Sequence, residues 1–101
     1  MANISSIGSS GLQAAQLRLD ASANNVANMN TPNYRRQVVA QEAAADSAGV
    51  RATVQRQQEA EAVALEKEAV EQMSATYAFK ANLQTIKTQY DMMGSLLNIK
   101  V

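Results

Sequence analysis

Apolar and small residues recur at alternating spacings of three and four in two separate stretches of the chain. In the first, Leu12, Ala15, Leu19, Ser22, Val26 and Met29 form the seam of an amphipathic helix. Ile4 and Ile7 extend its apolar side towards the start, so a helix is predicted from about residue 4 to residue 28. Ser5, Ser6, Ser9 and Ser10 are candidate N-caps. Gly8 and Gly11 fall inside the pattern, each costing about 1 kcal/mol relative to alanine in a helix. Either the helix starts after them, or they let another backbone come close. Asn28-Met29-Asn30-Thr31-Pro32 ends the segment, since Pro32 pushes Thr31 out of the helical region. Asn30 is a candidate left-handed cap.

The second stretch, about 59 to 98, predicts one long helix, broken by neither Gly nor Pro before Gly94. Phe79, Leu83, Ile86, Tyr90, Met93 and Leu97 alternate four and three. Leu65, Ala69, Met73 and Thr76 carry a thinner version, with one register slip near Thr76. Acids gather early (Glu59, Glu61, Glu66, Glu68, Glu71) and lysines late (Lys80, Lys87, Lys100), which complements the helix dipole. Between the helices, Val38-Val39-Ala40 and Val50 to Val54 read as short strands around a turn at Asp46-Ser47-Ala48-Gly49. Pairing Ala45 with Val50 puts Val39, Ala43, Ala52 and Val54 on one face and Glu42 near Arg51. The alanines from 43 to 45 also suit a helix, so a loop or a hairpin fits this region.

The expected fold is therefore mainly α: an antiparallel, coiled-coil-like pair of long N- and C-terminal helices with a short loop or β-hairpin between them. Residues 1–33 hold the first helix and its turn, 34–58 the short middle, and 59–101 the second helix. Neither stripe is satisfied alone. Leu12, Leu19 and Val26 are expected to meet Met73, Phe79, Leu83, Ile86, Tyr90, Met93 and Leu97, in intrachain pairing or in assembly. At about 1.5 Å per residue the first helix spans roughly 37 Å and the second roughly 60 Å. The second overhangs, which leaves apolar surface for other subunits.

Composition sharpens this picture. Of 101 residues, 19 are alanine, one is Phe and none is Trp, so the large apolar fraction returns little burial per residue. One small domain of this kind is marginal alone, and partner chains are the natural source of the missing burial. The formal charge is zero, which argues against a nucleic-acid partner and a polybasic membrane anchor. No run approaches the length of a membrane-spanning helix, so direct membrane insertion is not expected. Nor does a basic n-region precede an apolar stretch, so a cleaved secretory signal is not expected.

Little chemistry can be built from these side chains. Histidine and cysteine are absent, removing the commonest general base and metal ligands. No phosphate-cradling loop or calcium-loop spacing occurs. No catalytic residue, metal, cofactor or small-molecule substrate is expected, and the helix carboxylates read as a solvated face. Arg35, Arg36, Arg51 and Arg56 form a basic cluster, either solvated on the hairpin or turned to an acidic neighbour. Met29, Met73, Met92 and Met93 read as core filler before a binding face. Asn24, Asn25 and Asn28, followed by Asn30, Thr31 and Asn33, are either caps at a fraying helix end or amides that bind the turn or an adjacent subunit. In the second case they fix register, as a buried asparagine does in coiled coils.

Residues 4–37, ISSIGSSGLQAAQLRLDASANNVANMNTPNYRRQ, resemble the N-terminal signature of bacterial flagellar basal-body rod, hook and hook-associated (axial) proteins. The signature combines a Gly-Leu, an Ala-Asn-Asn-Val-Ala-Asn helix end, Asn-Thr-Pro and an aromatic followed by a basic residue. Here those positions are Asn24, Asn25, Asn28, Asn30, Thr31, Pro32 and Tyr34. Residues 64–101 look like the family's C-terminal helix. Its markers here are Leu65-Glu66-Lys67-Glu68, Tyr77, Ala81-Asn82, Ile86, and Met93-Gly94 before Leu96-Leu97.

The resemblance implies terminal helices paired antiparallel in the core of a helical tube. It implies export by the flagellar type III apparatus without a cleaved signal, a place in the periplasm-spanning rod, and other copies or other axial subunits as partners. The middle region is short for the family, making this a short member. The function expected is a non-enzymatic structural rod subunit polymerising for motility. The alternatives are a soluble coiled-coil adaptor, or an auxiliary hook-associated-like protein without a rod role.

Overall fold

The computed structural model describes residues 4–45, 49–57 and 63–99. Helix α1 (Ile4–Ala27) is followed by β1 (Gln37–Ala43), β2 (Val50–Arg56) and helix α2 (Leu65–Ile99). The mainly α architecture with a hairpin between two long helices is as the sequence predicts. The molecule is 64 Å long and only 14 Å across its thinnest direction.

The helices run antiparallel. Ser5 Oγ donates to Gln89 Oε1 at 2.6 Å near one end, and Ser22 Oγ meets Glu68 near the other. Helix α1 starts at Ile4, so the four serines lie within it and Gly8 and Gly11 are helical. Their role is close approach. A β-carbon at Gly8 would lie 2.7 Å from Ile86 Cγ1, and one at Gly11 would strike the Asn82 carboxamide. Ala15, Ser22 and Ala75 are buried in the described fold, so this contact is made of small residues rather than interlocking large ones. Replacing Gly8 with leucine should cost about 1–3 kcal/mol, the usual penalty for overpacking. A thermal melt followed by circular dichroism would measure it, and an unchanged midpoint would refute the close contact.

The hairpin packs on the other side of α1. Ser10, Ala14 and Leu17 share a groove with Val50 and Ala52. Ser10 Oγ donates back to Ile7 O at 2.6 Å and accepts from Val50 N at 3.0 Å. Gly49 crosses directly over Ser10 with φ +104°, a conformation that glycine adopts without strain. Val39 pairs with Val54, Glu42 with Arg51 and Ala43 with Val50. The predicted faces are thus correct, but the register differs by two residues from the pairing of Ala45 with Val50. The Asp46 to Ala48 part of the predicted turn lies outside the described residues. Helix α1 is therefore the middle layer of three.

Two predicted details change. Helix α2 begins at Leu65, with Val63 and Ala64 non-helical; Glu59 and Glu61 lie outside the described residues. The left-handed residue after α1 is Asn33 (φ 60°), not Asn30. The chain leaves α1 through successive tight turns, Thr31 N bonding Asn28 O and Tyr34 N bonding Thr31 O. The reversal therefore completes one residue past the proline, at an asparagine, which tolerates αL.

Candidate functional site

Two features stand out: a buried polar corner where α1, the turn and α2 meet, and an apolar tip where α2 outruns α1.

The corner centres on Glu68, whose exposure is 0%. Arg36 Nε donates to Glu68 Oε1 at 2.9 Å, with Nη2 at 3.4 Å from Oε2. Asn25 Nδ2 donates to the same Oε1 at 2.8 Å and to Gln37 O at 2.9 Å. Asn25 Oδ1 accepts from Tyr34 OH at 2.9 Å and Gln37 N at 2.7 Å, so all of its capacity is used. Ser22 Oγ lies 3.2 Å from Glu68 O and 3.3 Å from Oε2, and accepts from Gln72 Nε2 at 3.2 Å. Arg18 Nε adds an ion pair to Glu71 at 2.6 Å on the same helix pair. A buried carboxylate is tolerated only when satisfied this fully.

The corner corrects the view of the helix acids as a solvated face: Glu68 is the most buried large side chain described. It also divides the basic cluster. Arg36 is committed to Glu68, and Arg56 sits 5.5 Å from the Tyr34 ring centroid and donates to Arg35 O. Arg51 makes only an exposed 3.7 Å contact with Glu42. Of the signature asparagines, Asn25 alone is buried. Asn28 donates to Asn24 O and Oδ1 and accepts from Thr31 Oγ1. Asn30, Thr31 and Pro32 are exposed. The amides thus bind their own turn and neighbour helix.

The large apolar positions are not where intrachain pairing of the stripes would put them. On α1, Leu12, Leu19 and Val26 are half-buried, and on α2 so are Phe79 and Ile86. Met73, Leu83, Tyr90, Met93 and Leu97 are exposed, Tyr90 at 61% and Leu97 at 66%. The reason is rotational. Helix α2 turns towards α1 the line Glu68, Ala75, Asn82 and Gln89, seven residues apart. Leu83 lies roughly 80° round the helix from Ala75. Tyr90 and Leu97 lie seven and fourteen residues on from Leu83 and share its side of the helix, and Met93 and Leu97 lie past the level of Ile4, the first described residue of α1. The expectation that Leu83 and Tyr90 clasp Leu19 and Val26 within the chain is therefore corrected. So is the reading of the methionines as core filler, since Met29, Met73, Met92 and Met93 are all exposed.

The overhang itself is present, and the side chains on it are its largest. Tyr90, Met92, Met93, Leu96 and Leu97 are all exposed there, and Ile4 shares a groove with Met92, Met93 and Leu96. No described helix is long and apolar enough to cross a membrane. Among the described residues no cluster of acids could hold a metal ion.

Residues 6–35 match the flagella basal body rod protein family. The match covers Ser22, Asn25 and Tyr34 and stops one residue short of Arg36. It bears out the resemblance read from the N-terminal signature and supports a flagellar rod component located at the basal body. The family is a structural one. No curated protein matches the chain. Sequence reasoning missed Glu68 and Arg36 as partners. The available signal was a lone acid on the heptad line of Ala75, Asn82 and Gln89, a line that the larger stripe hides.

Proposed function

We propose that this chain is a structural subunit of the flagellar basal-body rod that polymerises through its terminal helices and thereby serves motility. The observation that carries this reading is the projecting end of α2. Met93, Leu96 and Leu97 are exposed past the level where α1 begins at Ile4, and of the described α1 residues only Ile4 lines the groove at Met93 and Leu96. A soluble monomer gains nothing from such a tip; a subunit that lays it on the next copy, or on another axial subunit, gains burial at every step. The contact is heterologous, one surface against a different one, and such contacts build open filaments when the rotation does not close. The assembly residues in this reading are Leu12, Leu19, Val26, Met73, Phe79, Leu83, Ile86, Tyr90, Met93 and Leu97. In this reading residues 1–33, 34–58 and 59–101 act as three working units. Passage through the flagellar type III apparatus, without a cleaved signal, delivers the chain to the periplasm-spanning part of the rod.

The fold of an assembly subunit depends on its concentration, because binding partners stabilise only the folded form. Circular dichroism over a dilution series should show helix rising with concentration, and sedimentation should show larger species in parallel. A concentration-independent, two-state melt of a monomer would instead favour a self-sufficient coiled-coil adaptor.

A further inference from the structure

The pairing of α2 with α1 is poorly determined by shape, because the facing residues are small: Gly8, Gly11 and Ala15 on one side, Ala75 on the other. A slide of α2 by one heptad, about 10 Å, would preserve the seam and bury the tip on the chain's own α1. Met93 would replace Ile86 against Gly8, and Leu96 would replace Gln89 beside Ser5. The connection does not forbid the slide, since residues 57–64 span up to about 27 Å when extended. The slide brings the exposed Met93 and Leu96 into the seam, where their apolar area is covered.

Two things oppose it. Asn82 would enter the space that Ala75 fills. Glu68 would leave Arg36, Asn25 and Ser22, and Ala75 would face that polar receptor with nothing to offer. The second cost is the larger. It strands the Glu68 carboxylate and the Arg36 guanidinium, and it takes one of its four partners from the Asn25 amide. Sliding the other way likewise removes Glu68 from its receptor, and it carries Met93 and Leu96 further from α1.

We infer that Glu68 is the register-determining residue of the helix pair, and that its receptor of Ser22, Asn25 and Arg36 keeps Met93 and Leu96 from sliding in beside Gly8 and Ser5 of the chain's own α1. The pair is a lock against self-burial rather than a net source of stability. A buried polar group that sets helix register at some cost in stability is the best-attested use of such groups. The register statement stands whatever the tip meets; only its purpose rests on the rod reading.

The protein has no cysteine, so register can be read by paired cysteines and a short bis-maleimide. Ser5→Cys with Gln89→Cys reports the observed register, and Ser5→Cys with Leu96→Cys the slipped one. Both are made in the full chain, in a stabilising osmolyte, and the cross-linked monomer is isolated. With the native corner, the 5–89 pair should dominate. With Arg36→Met and Glu68→Leu together, helix content should persist, and the 5–96 to 5–89 yield ratio should rise about tenfold, the ratio that ~1.4 kcal/mol of register preference gives. Glu68→Gln, which keeps shape and most hydrogen bonds, should shift the ratio in the same direction by less. A folded double variant that still cross-links at 89 alone would show that the Ala75 slot, not Glu68, sets the register. Loss of helix in both variants would show that the corner is a stability element, and would equally overturn the inference.

Discussion

Removing residues 96–101 should leave basal bodies that lack this subunit altogether, while the shortened chain is still exported. Leu96 and Leu97 are 65% and 66% exposed, so the isolated fold loses little with them. What is lost is exposed apolar area that, in the rod reading, the next subunit covers. Fully burying one such side chain is worth about 1.5–3 kcal/mol, and an open polymer repeats that term at every joint. Export needs an unfolded chain rather than a completed interface, so the two readouts separate. Immunoblots of purified basal bodies and of culture medium would score incorporation and export in one experiment. Full incorporation with normal motility would refute both the role of the tip and the assembly reading.

The second large effect is expected at Arg36. Replacing it with alanine leaves the fully buried Glu68 carboxylate without its cation, a situation that usually costs 3–5 kcal/mol. A small, alanine-rich fold has little stability to spare. The variant should therefore be largely unfolded under conditions where the parent is folded, as seen by far-ultraviolet circular dichroism. Arg35→Ala is the matched control. Its side chain is exposed, and the contact it supplies, Arg35 O to Arg56, is made by backbone. Its effect should stay within about 0.5 kcal/mol. If Arg36→Ala melts with Arg35→Ala, the corner contributes nothing that water does not replace. This expectation and the register lock are compatible. Removing one member of a buried pair is costly, whereas removing both in favour of well-packed apolar groups is often neutral.

Much of the fold was legible because it rests on local rules. The stop at Pro32, the three-four spacing and the alternation from Val38 to Val54 each name an element without reference to any other. The rotation of α2 was not legible. The largest side chains mark the stripe from Phe79 to Leu97, and the sequence alone gives no reason to prefer the poorer line through Glu68, Ala75, Asn82 and Gln89. That preference arises between elements: Gly8 and Gly11 admit a close neighbour, and Arg36, brought round by the turn at Asn33, demands a carboxylate. Asn25 was visible as a register candidate because an amide in a late helical turn is unfavourable without a partner. Glu68 was not, because an acid in the first turn of a helix already has a sufficient reason in the dipole.

The hairpin and α2 lie on opposite flanks of α1 and are joined, among the described residues, chiefly at the corner where Arg36 reaches Glu68. That geometry makes the first helix a keel with two outriggers and one strut. A sideways load on the strands has a short rigid route to the base of the long helix. The far end of that helix, some 30 residues on, would swing through a much larger arc than the strands themselves, so a small tilt of the hairpin would be magnified at the tip.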